Sequence, residues 1–79
     1  MSIMLHLSKI ETNTATISAF YMPEGGTVEG YLCLDRKTGK ILEEVQSDAY
    51  GRIHAVKALR RLANLPEQSI PKEKQVLWY

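Results

Sequence analysis

Through most of its first 46 residues the chain alternates apolar and polar side chains with a period of two, and then the period changes. Alternation of this kind fits a half-buried strand, because successive Cβ atoms point to opposite faces of a pleated sheet. A chain that begins this way is committed to a sheet, and its remaining residues must cover one side of that sheet. In the first run Ile3, Leu5 and Leu7 share one face, with Met4, His6 and Ser8 opposite. Glu11-Thr12-Asn13 reads as a turn, since Asn tolerates positive φ and bonds its own backbone. Residues 14–22 are rich in β-branched and aromatic side chains, which suit a pleated surface. Ala15, Ile17, Ala19 and Tyr21 form one face of this second run; Thr14, Thr16, Ser18, Phe20 and Met22 form the other.

Turn chemistry separates the remaining strands. Pro23-Glu24-Gly25-Gly26 combines a fixed φ with two permissive glycines. Val28, Gly30, Leu32 and Leu34 then alternate with Thr27, Glu29, Tyr31 and Cys33 in a third strand. In residues 35–40, Asp35 opens and Gly39 closes a segment suited to a hairpin loop with a glycine bulge. A fourth strand covers residues 41–46, with Ile41, Glu43 and Val45 expected on one side and Leu42 and Glu44 on the other.

At Ser47-Asp48, two good N-caps, the period shifts to that of a helix, which is expected over residues 49–64. At about 100° per residue, Ala49, Ile53, Val56, Leu59 and Ala63 fall on one stripe, with Ala55 and Leu62 beside it. Leu65-Pro66 stops the helix, because the residue before proline is pushed out of the helical region. Residues 67–74 read as a polar loop around Pro71, and residues 75–79 as a short strand that must join a sheet edge to stay ordered. The expected product is an α+β fold, β-β-β-β-α-β: an antiparallel four-stranded meander, one helix packed on one face and a short C-terminal strand, all in a single domain spanning residues 1–79.

Composition narrows the function classes. At 79 residues the chain is too short for two ordinary domains, and a core this thin leans on a partner or a second copy. The single cysteine, Cys33, cannot form an internal disulfide, which points to a reducing, cytoplasmic setting. The start of the chain lacks a basic segment and a long apolar run, so neither a signal peptide nor a membrane span is expected. Three His and Cys residues in all, none closely paired, fall short of a structural zinc set. No spacing places Cys33 or a serine beside His6 or His54, and neither a nucleophile elbow nor a phosphate loop is present. The expectation is therefore no enzyme, no metal and no cofactor.

The formal charge of +1 conceals a division. Residues 1–48 hold four bases and seven acids, a balance of −3; residues 49–79 hold six bases and two acids, a balance of +4. On the helix, His54, Lys57 and Arg61 line one solvent face at i, i+3 and i+7, with Arg60 beside them. Such a row can contact an acidic protein surface or phosphates, and it is also what a merely solvated face would show. If the helix packs on the Ile17/Tyr21 face of the second strand, Tyr31, beside Phe20 and Met22, falls on the face away from it, and Trp78 belongs to the terminal strand; both are residue types enriched at interfaces.

In size, in the lack of catalytic motifs and in its α+β plan, the chain looks like small accessory proteins of phages and mobile elements, among them anti-CRISPR and other host-defence inhibitors. That resemblance carries no site residues and implies action by occupying a surface on a larger machine. The function expected is non-enzymatic binding of a macromolecular partner, as inhibitor or accessory factor, through His54, Lys57, Arg60, Arg61, Tyr31 and Trp78. A protein is the favoured partner, and a homodimer through the terminal strand is a further option. The alternative is a nucleic-acid-binding domain that uses the same helix face, which the near-neutral total weakens.

Overall fold

A computed structural model of the chain describes residues 3–47 and 51–78, with side chains for 4–47 and 51–76. Strands β1 (Ile3–Thr12), β2 (Thr16–Pro23), β3 (Gly30–Asp35) and β4 (Ile41–Val45) precede helix α1 (Arg52–Ala63), a 3-10 turn at Glu67–Ser69, and strand β5 (Lys74–Trp78). Every pairing is antiparallel, and the order across the sheet is β4-β3-β2-β1-β5. The first four strands form the expected meander, and β5 returns to the edge beside β1. The longest strand is thereby placed inside the sheet.

Period-two burial divides the sheet cleanly. Leu5, Leu7, Ile10, Ile17, Ala19, Tyr21, Leu32 and Leu34 are buried beneath α1, whose Ala55, Val56, Ala58, Leu59 and Leu62 close the same core. Met4, His6, Ser8, Ser18, Phe20, Met22, Tyr31 and Cys33, which alternate with them, stay half-buried on the other side, the open face of the sheet.

Local boundaries depart from the sequence expectations at defined points. The first turn opens at Asn13 rather than covering residues 11–13: β1 continues to Thr12, and the Asn13 carboxamide oxygen accepts the Ala15 and Thr16 N–H groups at 2.8 Å, so asparagine serves as the turn residue expected. Strand β1 can run that far because it bulges, with Lys9 and Ile10 together opposing Ala19 and Lys9 held at φ 50°. The bulge keeps Ile10 on the core side and its neighbours Ser8 and Glu11 on the other. A second irregularity corrects the faces expected for the fourth strand. Ile41 pairs with Leu34 and Glu44 with Leu32, while Glu43 pairs with Cys33, so an extra residue is absorbed at Leu42. Ile41 and Glu44 therefore lie towards the helix, and Glu43 and Val45 belong to the open face.

The helix also differs. It begins at Arg52 rather than Ala49, because Gly51 adopts φ 129°, outside helical space, and no side chain caps it. Of the residues expected to start it, Asp48 and Ala49 lie outside those described. Ile53, expected in the core stripe, is 62% exposed. The stripe that wins is Ala55, Ala58, Leu59 and Leu62, itself spaced i, i+3, i+4 and i+7, whose two alanines let the helix lie close to the sheet. Val28 is likewise exposed, since β3 begins only at Gly30.

One contact locks β2 against β3, and another fixes the helix to the sheet. Gly30 pairs with Tyr21, whose ring lies across it so closely that a Cβ at Gly30 would penetrate the ring. At the other end the Arg36 guanidinium donates to the carbonyls of Asn13 (2.9 Å), Ala63 (3.3 Å) and Leu65 (2.8 Å). Those last two carbonyls belong to the helix C-terminus, where acceptors are left without intrahelical donors and a cation also complements the macrodipole. One side chain thus ties the β1–β2 turn, the β3–β4 turn and the end of α1 together.

Candidate protein-interaction surfaces

The outer face of α1 carries the basic row. Lys57, Arg60 and Arg61 are exposed and His54 is half-exposed, with Ile53 between them as an apolar centre. Arg60 is partly committed, because its Nε donates to the Gly39 carbonyl at 3.0 Å and braces the β3–β4 turn. That turn matches the sequence reading: Gly39 sits at φ 74°, and the Asp35 carboxylate accepts from the Lys37 and Thr38 N–H groups. These donors, Thr38 first and then Lys37, hold the Asp35 carboxyl below its ordinary pKa.

Acids on the helix side are engaged inward. Glu44 takes a two-pronged hydrogen bond from Arg52, which raises the pKa of the guanidinium further. Glu67 lies 3.8 Å from Arg36. Lys57, Arg61 and Lys74 have no ion-pair partner among the described residues. Lys74 joins this side because it pairs with the buried Leu7 at the start of β5. The result is a cationic surface with small apolar patches.

The open face has a different character. Phe20 and Tyr31 are cross-strand partners with ring centroids 5.0 Å apart and a 53° tilt, and Val45 continues the row at 58% exposure. The Lys9 ammonium reaches 5.4 Å from the Phe20 centroid, a placement that the bulge allows. Around these rings stand Glu11, Glu29 and Glu43, with Ser8 donating to the Glu29 carboxylate at 3.4 Å. His6 lies 3.9 Å from Glu73 at the margin. A shallow groove of about 220 Å³ runs past Glu11, Thr16, Ser18, Tyr31 and Cys33. Neither histidine enters the groove that Cys33 lines.

The six residues expected to bind a partner do not form one surface. His54, Lys57, Arg60 and Arg61 stand together on the helix, and Tyr31 lies beyond the sheet on the opposite side. Trp78 pairs with Ile3 at the end of β5, and its side chain lies outside those described. Three contributors escape the sequence reading, which assigns Ile53 to the core, Lys74 to a loop and Arg36 to a hairpin loop without a role of its own. Period-two spacing of Lys74 and Val76 is a signal for the second; nothing local flags the third, whose partners are 23 to 29 residues away.

Set against protein-family models, curated proteins and solved structures, the chain matches none of them. Among the described residues no three His, Cys, Asp or Glu side chains converge as a metal set would, and no helix is long and apolar enough to cross a membrane.

Proposed function

We propose that this is a non-enzymatic interaction protein that acts by covering an acidic surface on a macromolecular partner with the outer face of α1. The observation that carries this reading is the sorting of charge. The acids near the helix are paired within the fold, whereas Lys57, Arg61 and Lys74 face solvent without an ion-pair partner among the described residues. Ile53 gives the row an exposed apolar centre, the mixture of anchor and charged rim that protein interfaces use. An inhibitor or accessory factor is the kind of activity such a surface serves. A protein is favoured over nucleic acid because the formal charge of the chain is only +1, and because the Phe20–Tyr31 pair, the best base-stacking platform here, has Glu11, Glu29 and Glu43 near it against the cation, Lys9, that reaches its rings.

The test is a comparison of two variants in affinity capture from native host extract, read for both proteins and nucleic acid. Lys57→Glu with Arg61→Glu reverses the helix face without touching the core, and is expected to lose the captured partner. Phe20→Ala with Tyr31→Ala alters the open face, and is expected to retain it. Loss in the second variant and retention in the first would move the function to the open face. Capture that is destroyed by nuclease and falls steeply with salt would assign the helix to nucleic acid.

A further inference from the structure

The two edges of the sheet are not equivalent. At one edge β4 carries an irregularity at Leu42 and places Glu43 and Glu44 in sequence, devices that discourage another strand from pairing. At the other edge β5 pairs with β1 through five consecutive residues without a register shift, and it has no strand on its outer side among the described residues. Beside it, between β5 and α1, runs a groove of about 270 Å³ lined by Ala58, Leu62, Leu65 and Val76, with Arg61 and Lys74 at its rim. Leu65 is 40% exposed there.

We propose that this groove and the outer edge of β5 together form a docking site for an extended acidic segment of a protein partner, which adds to the sheet as a sixth strand. The proposal rests on the helix-face reading above and names the chemistry of the partner. Strand addition supplies affinity through main-chain hydrogen bonds to an open edge, and specificity through pockets that take every second side chain. Both elements are present side by side: an edge strand of regular register, and an apolar floor on the side to which alternate residues of an added strand would point. The sign of the partner's charge is set by the rim. Arg61 and Lys74 carry no ion pair among the described residues, and no acid is among the residues that line the groove. A second copy of the chain would bring the same cation-only groove to the junction, so like charges oppose pairing of β5 with itself.

The probe is a capped peptide alternating valine and glutamate, compared with a matched peptide alternating valine and lysine, each titrated into the full chain while backbone amide signals are followed. The glutamate peptide is expected to saturate, to slow amide exchange along Lys74–Trp78, and to shift the signals of Ala58, Arg61 and Leu62. The lysine peptide is expected to bind at least about tenfold more weakly, a difference that one or two rim charge contacts can supply. Arg61→Glu with Lys74→Glu is expected to invert the preference, and Lys40→Glu, exposed beside β4 at the opposite edge of the sheet, to leave it unchanged. Equal binding of the two peptides, signals that move on β4 or the open face instead, or no saturation up to about 1 mM would overturn the proposal. So would β5 signals that move with protein concentration alone, which assign the edge to self-pairing, or a short oligonucleotide that moves the same signals. The two readings fail separately. If Lys57→Glu with Arg61→Glu loses the captured partner but the peptide does not bind, the groove is wrong and the helix face stands. If the peptide binds as expected and that variant still captures the partner, the reverse holds.

Discussion

Along β2, Ile17, Ala19 and Tyr21 are sealed beneath α1, whereas Thr16, Ser18, Phe20 and Met22, alternating with them, lie on the side away from α1. Two faces made by one set of strands thus do different work. The covered face is apolar and closed at its centre, where the Tyr21 hydroxyl accepts from the Ser47 N–H at 3.4 Å. The open face mixes aromatic, hydroxyl and carboxylate groups that touch one another loosely, at distances such as the 5.4 Å of Lys9 over Phe20. Charge follows a similar division, with Lys57 and Arg61 outside the helix lacking an ion pair among the described residues, and with Glu11, Glu29 and Glu43 around the open face beside Lys9. Stability should therefore be concentrated on one side, and recognition at the outer surfaces.

Ile17 and Phe20 give the largest contrast, because both lie on β2 and differ in which face they serve. Ile17 is 0% exposed, so Ile17→Ala removes buried methylene groups and leaves a cavity; about 2–5 kcal/mol should be lost. Phe20→Ala removes a larger side chain but one that is already half-wet, together with its tilted contact to Tyr31; about 1 kcal/mol is expected. Chemical denaturation of the two variants reads the difference directly. Equal losses would mean that the open face is covered in solution and that the division of labour is wrong.

A subtler break is available at Gly30, where the covered face depends on a missing side chain. Any Cβ there meets the Tyr21 ring, and Tyr21 is 1% exposed with nowhere to retreat. Gly30→Ala should cost about 1–3 kcal/mol, as overpacking does, despite the better strand propensity of alanine. The double variant Gly30→Ala, Tyr21→Leu relieves the collision and should recover part of that loss in the same denaturation experiment. If the double variant is no better than the sum of its parts, the ring is not what makes glycine necessary.

Legibility in the sequence divides along the same line. Alternation identifies Leu5 and Leu7 of β1, Ile17, Ala19 and Tyr21 of β2, and Leu32 and Leu34 of β3 as core residues, because burial with period two is a local signal. It misses Ile10, which the bulge carries to the core side, and misplaces Ala15 and Val28, which are exposed. It fails on β4, because the irregularity at Leu42 inverts the pattern and is visible only in the pairing with β3. The helix is legible in existence and less so in rotation. Ile53 and Leu62 both satisfy a helical stripe, and the closeness that Ala55 and Ala58 permit decides between them. Arg36 is not legible at all: its role arises where three distant segments meet. The basic row His54, Lys57, Arg60 and Arg61 is readable as one helix face, whereas its partition from Tyr31 needs the layer order, and the commitment of Arg60 to Gly39 needs the turn in place.

The smallest effect concerns the end of the open face, where Asp35 pairs with Thr16 and turns β3 into the hairpin. N–H groups of Thr38 and Lys37 point into its carboxylate, so the ionised form is favoured by folding and its pKa lies below the unfolded value. A group with a depressed native pKa stabilises the fold above its unfolded pKa, about 3.9 for aspartate, and loses that contribution as pH falls towards and through the native value. Denaturation midpoints should therefore decline through this acid window and be indifferent to Asp35 above about pH 5. Asp35→Asn keeps an oxygen to accept the same N–H groups but cannot titrate. Its stability should fall less steeply than that of the parent chain as pH drops below about 4, although it starts lower at neutral pH. Because the turn is exposed, the change in slope should be small beside the loss at Ile17. Parallel acid limbs for the two proteins would show that the turn holds its shape through Gly39 and the Arg60 brace, with the charge on Asp35 contributing nothing.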